Sequence, residues 1–345
     1  MKGGAERQLY YLIKGLPKTY DVQVCAFVDG YYGQKLRKEG YKVKILDKGW
    51  SGVQQFLNLV REYKPHVVHS WMTHANIFCK FCRFFVDYRM LVCSIRGKEN
   101  TFRHKIEAFI ERALDFKSDK VVTNSNSFAR GLKKGLFYRK KKVSVVYNGF
   151  VPETAKMGAV KKSLNLKDSR IVTVIANFRP GKDYPGAIKV AKEVFSKRSD
   201  TVFLFVGDGE RREKIEQMVK DEGLEDRILL LGTRSDIPNI LVDSDVFFLP
   251  TLYEAQSNVL IEAMFYMCPI VTTDIPENAE LIRDGKEGHL VKIGDYKEMA
   301  ERICEVLDNR IEASVIRSNA YRKANSTFGL QKMVNGYLDI YGRKR

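Results

Sequence analysis

"DVFFLPTLYEAQSNVLIEAM", residues 245–264, changes its periodicity midway. Its first six residues form a continuous apolar run of the kind carried by a strand that is buried on both faces. "TLYEAQ" then reads as a loop. From about Ser257 the apolar positions Val259, Leu260, Ala263, Met264 and Met267 fall on one helical stripe. Ser257 or Asn258 is placed to cap that helix. Strand, loop and helix in this order make the repeating unit of a parallel sheet covered by helices.

The same unit recurs on either side. In the second half the runs "IVTVIAN" (171–177), "TVFLFVG" (201–207), "ILLLG" (228–232) and "PIVTT" (269–273) alternate with helical patterns. In the first half "VQVCAFV" (22–28), "HVVHS" (66–70), "LVCSI" (91–95), "KVVTNS" (120–125) and "VSVVY" (143–147) do so as well. Two sets of short apolar strands separated by helices imply an α/β protein with two Rossmann-like, doubly wound domains. The polar stretch 151–169, with Pro152 and Gly158, reads as the linker. Such a pair is expected to face a cleft at the carboxyl ends of its sheets, where these folds bind ligands. The first amides of the 257–264 helix would make an anion site there. Glu254 stands before that helix and Glu262 inside it, with seven residues between them. An anion flanked by two hydroxyl-binding carboxylates describes a nucleotide diphosphate with a sugar on each side.

Composition narrows the class. A chain of 345 residues with 44% hydrophobic and 29% charged residues is long enough for two cored domains and too apolar for disorder. It contains no run of 18 apolar residues, and MKGGAERQL lacks the apolar core of a secretory signal, so a cytoplasmic location is expected. Residues 1–160 hold 30 Lys and Arg against 13 Asp and Glu, whereas residues 161–345 hold 29 of each. The whole net charge of +17 therefore sits in the first half, which implies an anionic partner there.

The two-glutamate segment, continued to "PTLYEAQSNVLIEAMFYMCPIVTTDIPENAELI", resembles the nucleotide-sugar signature of retaining glycosyltransferases of family 4, which have the GT-B fold. The resemblance extends through "GGAERQL" at the start, "PHVVHSWMTHAN" (65–76), "NSNSFARGL" (124–132), "VVYNGF" (145–150), "ANFRPGKDYPGAI" (176–188) and "FVGDGERREKIE" (205–216). It implies a basic acceptor-binding domain over 1–155, a nucleotide-sugar-binding domain over 156–325, and a last helix over 326–345 that crosses back to the first domain. Glu254 then matches the residue that contacts the donor sugar, and Gln256, Ser257, Asn258 and Val259 surround the sugar and distal phosphate. Glu262 matches the residue that holds the ribose, and Lys182 matches the lysine on the diphosphate. The usual arginine, five residues before that lysine, is Asn177 here, and Arg179 is the expected substitute. Gly3 and Gly4 match the glycine loop that approaches the donor. A histidine usual after the fourth strand is replaced by Arg96, which with His74 is an acceptor-side candidate. Relatives begin with a strand before the glycine loop, so the first domain is expected to lack its usual first strand.

The implied chemistry is sugar transfer with retention from a nucleotide diphosphate sugar, a UDP-sugar by preference, to a saccharide or lipid-linked acceptor of surface glycan synthesis. Fixed cations in place of a metal imply a metal-independent enzyme without cofactor. An anionic membrane surface is the expected partner, and nucleic acid is not, since no recognition motif accompanies the charge. A UDP-sugar epimerase of the same fold and a non-catalytic nucleotide-sugar binder remain alternatives.

Several patterns have plainer readings. "DSD" (243–245) precedes its strand, which fits a helix end and strand start better than a metal site. Arg212 occupies the third glycine position of a dinucleotide fingerprint in "GDGERR". Cys79 and Cys82 have metal or redox spacing but no completing pair, and His69 ends a strand, where lining the cleft and a structural role are equal alternatives. Phe78, Phe81 and Phe85 lie at helical spacing and are expected in the core, with membrane wedges as the alternative. Lys140, Lys141 and Lys142 and the cations of 80–89 are the expected membrane contacts.

Overall fold

The structure, a computed structural model, describes residues 3–96, 102–134 and 142–342. It divides into two compact units, Met1–Gly149 with Gly329–Arg345 (unit 1) and Phe150–Phe328 (unit 2).

Unit 1 alternates α1 (Gly4–Gly15), β1 (Gln23–Ala26), α2 (Tyr31–Lys38), β2 (Lys42–Ile45), α3 (Trp50–Tyr63), β3 (Val67–Trp71), α4 (Thr73–Cys82), β4 (Met90–Ile95), α5 (Phe102–Ala113), β5 (Lys120–Thr123), α6 (Asn126–Lys134) and β6 (Val143–Val145). All pairings are parallel, but the strands lie in two sheets, β1-β2 and β3-β4-β5-β6. Among the described residues β1 and β3 share no ladder. Helices hold the two sheets together. Tyr10 and Ile13 of α1 pack with Leu36, Val24 and Val43, while Leu12 packs with Trp71, Val92 and Val122. The other face of β4, Leu91 and Cys93, meets Phe56, Leu57 and Val60 of α3, which also touch Cys25 of β1. Successive residues of a strand point to opposite faces, so α1 and α3 cover both sheets from opposite sides. The open edge has a visible cost. All four residues of β1 are only half-buried.

Unit 2 continues with α7 (Ala159–Ser163), β7 (Arg170–Ile175), α8 (Tyr184–Lys197), β8 (Thr201–Val206), α9 (Arg212–Asp221), β9 (Ile228–Gly232), α10 (Ile237–Asp243), β10 (Val246–Leu249), α11 (Asn258–Phe265), β11 (Ile270–Thr273), α12 (Pro276–Leu281), β12 (His289–Val291), α13 (Tyr296–Asp308) and α14 (Arg310–Thr327). Its single parallel sheet has the order β12-β11-β10-β7-β8-β9. Every residue of β8 and β10 is buried, which explains their unbroken apolar sequences. The chain winds outward from β7 in one direction and from β10 in the other, so the topological switch point lies between these two strands.

The chain re-enters unit 1 with α15 (Leu330–Tyr341), whose Met333, Val334 and Tyr337 are buried beside Leu12, Trp71 and Val146. Gly149 allows this approach, since a Cβ there would stand 3.1 Å from the Leu330 Cα.

The stretch read as a linker is anchored to unit 2. Glu153 N donates to Tyr266 Oη at 2.8 Å and Lys156 N to Asn239 Oδ1 at 2.8 Å. Asp243 then caps α7, accepting from Val160 N at 2.8 Å and Lys161 N at 3.1 Å. Residues 150–155 side with unit 2 for this reason, although the sequence placed them before the boundary.

The aromatic series on α4 splits. Phe78 packs into the α3 core, but Phe81 and Phe85 are exposed, correcting the expectation of three core residues. The helix ends at Cys82, so Phe84 and Phe85 leave its stripe. Lys140 and Lys141 lie outside the described residues, and Lys142 donates to Ser118 O at 2.5 Å.

Candidate functional site

At the switch point the loops leaving β7 and β10 are zipped together. Asp183 N donates to Pro250 O at 2.8 Å, and Leu252 N donates to Gly181 O at 3.0 Å. A Cβ on Gly181 would fall 2.6 Å from the Tyr253 ring, so the two loops pack closely there. Asp183 caps α8 by accepting from Gly186 N at 3.0 Å, and its other oxygen accepts from Tyr296 Oη at 3.1 Å. Lys182 is thereby held with its Nζ 3.1 Å from Thr251 Oγ1 and bonded to Glu254 Oε1. Two residues 72 positions apart, each singled out from sequence, thus form one ion pair. Both side chains are about four-fifths buried.

α11 supplies the remainder. Ser257 is its N-cap, with Leu260 N donating to Oγ at 3.4 Å. Gln256, Ser257 and Glu262 are buried, and Asn258 and Val259 are half-buried at the first turn. A short apolar helix whose N-terminus stands at a switch point presents backbone N–H dipoles where an anion would bind. Glu254 stays in the loop before it and Glu262 lies within it, so the two carboxylates occupy different depths.

Asn177 and Arg179 are exposed in the β7 loop, and Arg179 has no side-chain partner among the described residues. Sequence reasoning missed Arg211. It precedes α9, its N donates to Phe178 O at 3.2 Å, and it lines a small hollow with Lys182 and Lys214. "GDGERR" carries part of the family resemblance and fails as a dinucleotide motif, but nothing local shows that the β8 loop folds onto the β7 loop. Gly207 permits that approach at φ 149°, with the Ala176 carbonyl 2.0 Å from where a Cβ would stand. Glu277, a buried carboxylate opening α12 after β11, was also missed. Its signal was the polar "PEN" two residues after an apolar strand.

The unit 1 candidates sit at helix and strand ends. Gly3 is the N-cap of α1 and Gly4 its first residue. His74, in the first turn of α4, is largely exposed with Nε2 3.3 Å from Glu107 Oε1. Arg96 follows β4 and is buried. Its guanidinium lies 4.0 Å from the Trp71 ring centroid and donates to Asn148 Oδ1 and Tyr337 Oη. Burial pushes its pKa down. His69 belongs to the same cluster, with Nδ1 2.6 Å from Tyr341 Oη and Nε2 2.8 Å from Ser94 Oγ. Burial, and then the Arg96 cation, push its pKa well below the ordinary histidine range, so it stays neutral as a packing residue.

The remaining patterns are structural. Asp243 caps α7, and Asp245 accepts from Arg170 Nη1 and Ile171 N, both at 2.9 Å. Arg212 pairs with Glu216 at 2.7 Å. Cys79 and Cys82 are buried in the α3 core, and burial raises both thiol pKa values. Among the described residues, no helix is long and apolar enough to cross a membrane.

Comparison with known proteins agrees with this geometry. The family model described as "Glycosyltransferase Family 4" matches residues 2–154, and that described as "Glycosyl transferases group 1" matches residues 158–323. The chain is 27% identical over 311 residues to the Escherichia coli UDP-Gal:alpha-D-GlcNAc-diphosphoundecaprenol alpha-1,3-galactosyltransferase, covering 86% of this chain and 80% of that one. It is 24% identical over 263 residues to a Campylobacter jejuni N-acetylgalactosamine-N,N'-diacetylbacillosaminyl-diphospho-undecaprenol 4-alpha-N-acetylgalactosaminyltransferase, covering 74% and 71%. Anabaena HepE in complex with UDP-glucose superposes with a TM-score of 0.86 at 20% identity, covering 99% of this chain and 96% of that chain. Strand order, paired α/β units and two family matches in succession lead to one assignment: the chain belongs to the group 1, family 4 glycosyltransferases, has the GT-B fold, and is a glycosyltransferase.

Proposed function

We propose that this enzyme transfers a sugar from a UDP-sugar, with retention of configuration, to a lipid-linked or saccharide acceptor in surface glycan synthesis. The observation that carries the donor side is the set formed at the β7/β10 switch point by Lys182, Glu254 and the α11 N-terminus, with Glu262 buried one turn in. In this reading Lys182, Arg179 and the amides of 256–259 stabilise the departing diphosphate. Glu254 orients the sugar, and Glu262 holds the ribose. Asn177, in the same β7 loop, lines the donor. The leaving diphosphate takes up charge as the glycosidic bond breaks, and fixed donors aimed at that charge stabilise the transition state. The reaction as read needs no metal or cofactor. UDP is favoured because the E. coli relative is named for UDP-Gal and HepE was solved with UDP-glucose. A lipid-diphosphate acceptor is favoured because both bacterial relatives named above are named for one. Such an acceptor favours a cytoplasmic enzyme at an anionic membrane face, and the net positive charge of residues 1–160 supports that reading.

The test is calorimetric titration of the full chain with UDP, GDP, ADP and their sugars, without added metal, beside Glu262→Ala. Micromolar binding of UDP that the substitution abolishes is the expected result. Equal binding by the variant refutes the donor site, and selective binding of another base refutes the UDP assignment.

A further inference from the structure

Unit 1 exposes aromatic side chains that its core does not use. Trp50 is 54% exposed, Phe84 51%, Phe85 47%, Phe116 67% and Phe81 39%. Ring contacts join them in two groups, Trp50 and Phe81 to Phe85 at 5.8 and 5.3 Å and Phe84 to Phe116 at 6.1 Å, and the adjacent residues Phe84 and Phe85 link the groups along the chain. Three separate segments supply it, namely the start of α3, the end of α4 with the turn after it, and the 3-10 turn Asp115–Lys117. Exposed aromatic rings clustered in this way on a folded domain mark an interaction site.

The platform is held from beneath. Lys80 is fully buried, donates to Glu111 O at 2.8 Å and stands 3.6 Å from Asp115 Oδ1. Arg83 donates to Lys117 O at 2.6 Å and to Asp119 Oδ2 at 2.5 Å. These bonds tie α4 to the turn carrying Phe116, so the rings are presented on a fixed scaffold. Lys117 then lays its ammonium 3.9 Å over the Phe84 ring, with its charge at the margin of the apolar patch. On α5, Ile106, Phe109 and Ile110 are exposed at i, i+3 and i+4, so a second apolar stripe belongs to the same unit.

We propose that this surface docks unit 1 into the interface of an anionic bilayer, with Trp50, Phe84, Phe85 and Phe116 inserted at headgroup depth. The proposal rests on the membrane placement in the reading above and assigns it to named residues. Two features select a bilayer. Exposed Trp and Phe beside cations suit the interface between headgroups and acyl chains. Self-association through the same patch would bring a surface from the strongly cationic half of the chain against itself, which the net charge of +17 opposes.

The experiment partitions the full chain between buffer and unilamellar vesicles of phosphatidylglycerol and phosphatidylcholine, with phosphatidylcholine alone as control. Emission is followed from Trp50, since the other tryptophan, Trp71, is buried. A blue shift and quenching by brominated lipid, both lost in Trp50→Phe, are expected with the anionic vesicles. The combined variant Phe81→Ser, Phe84→Ser, Phe85→Ser and Phe116→Ser should partition about 100-fold more weakly. These residues are solvent-exposed, so far-UV circular dichroism and UDP affinity should be unchanged. Partitioning of wild type that the combined variant abolishes, with no UDP binding by either, supports the surface and overturns the donor reading instead. Three results overturn the proposal: no spectral shift with anionic vesicles; variant partitioning equal to wild type, with both lost in 0.5 M salt; or conversion of a dimer to a monomer by the substitutions with vesicle binding intact.

Discussion

Replacing Glu254 by glutamine keeps the shape of the side chain, removes one negative charge, and moves two observables in opposite directions. Glu254 accepts from Lys182 Nζ, and the side chains are 18% and 20% exposed. A diphosphate oxygen bonded to Lys182 lies about 3 Å from Nζ, and so about 5 Å from the carboxylate that already occupies it. Two unit charges at that separation repel by about 1.7 kcal/mol at an effective dielectric of about 40, between bulk water and a partly buried pair. Glu254→Gln should therefore bind UDP roughly tenfold more tightly at low ionic strength, and the gain should shrink in 0.5 M salt. Transfer should move the other way. The sugar hydroxyls lose a charged acceptor worth about 1.5–3 kcal/mol, so kcat/KM for the UDP-sugar should fall by roughly 10- to 100-fold. Calorimetry with UDP at two salt concentrations and initial rates of transfer measure both. Weaker UDP binding, or tighter binding with undiminished transfer, refutes the placement of Glu254 between phosphate and sugar.

Arg179 bonds to no other side chain among the described residues, so Arg179→Ala should leave the melting temperature unchanged and lower kcat/KM by about 10- to 100-fold if it contacts the diphosphate; undiminished turnover removes it from the site. Asp243→Ala leaves the amides of Val160 and Lys161 without their acceptor at the start of α7 and should cost about 2–4 kcal/mol in urea unfolding, with Asp243→Asn retaining part of that. An unfolding midpoint equal to wild type would mean that the cap contributes nothing. His69 and His289 both have folded-state pKa values depressed first by burial. The unfolded chain therefore takes up protons near pH 6.5 that the folded chain refuses. Stability is full above that pH and falls on acidification toward the folded values, by about 1.4 kcal/mol per pH unit for each residue. His69→Gln should make the pH dependence of the urea midpoint shallower, and an unchanged slope would show that His69 protonates in the folded state.

Much of the fold was legible because its signals are local. The run 245–264 folds as a strand, a loop and a helix capped by Ser257, since burial on both faces and a side-chain cap are properties of adjacent residues. The alternation of apolar runs with amphipathic stretches likewise located most strands of both units. "DSD" is the helix end and strand start that its place before an apolar run implied. The backbone amides of Gly158, Val160 and Lys161, at the start of α7 some 80 residues earlier in the chain, converge on Asp243, and no metal is needed to explain the cluster.

By itself, then, the sequence determined which segments become strands and helices, the charge of the first half, and the candidacy of Lys182, Glu254 and Glu262. Tertiary structure decided what those segments meet. Only strand order makes β7 and β10 neighbours and brings Lys182 onto Glu254, because a hydrogen-bonded ladder between residues 172 and 246 has no local signature. The same holds for Arg211 beside Lys182 and for the separation of β1 from β3. Helical spacing placed Phe78, Phe81 and Phe85 on one stripe but could not say where the helix stops or what covers it. Burial is a property of packed neighbours: Phe78 has the core of α3 against it, while Phe81 and Phe85 face outward from unit 1.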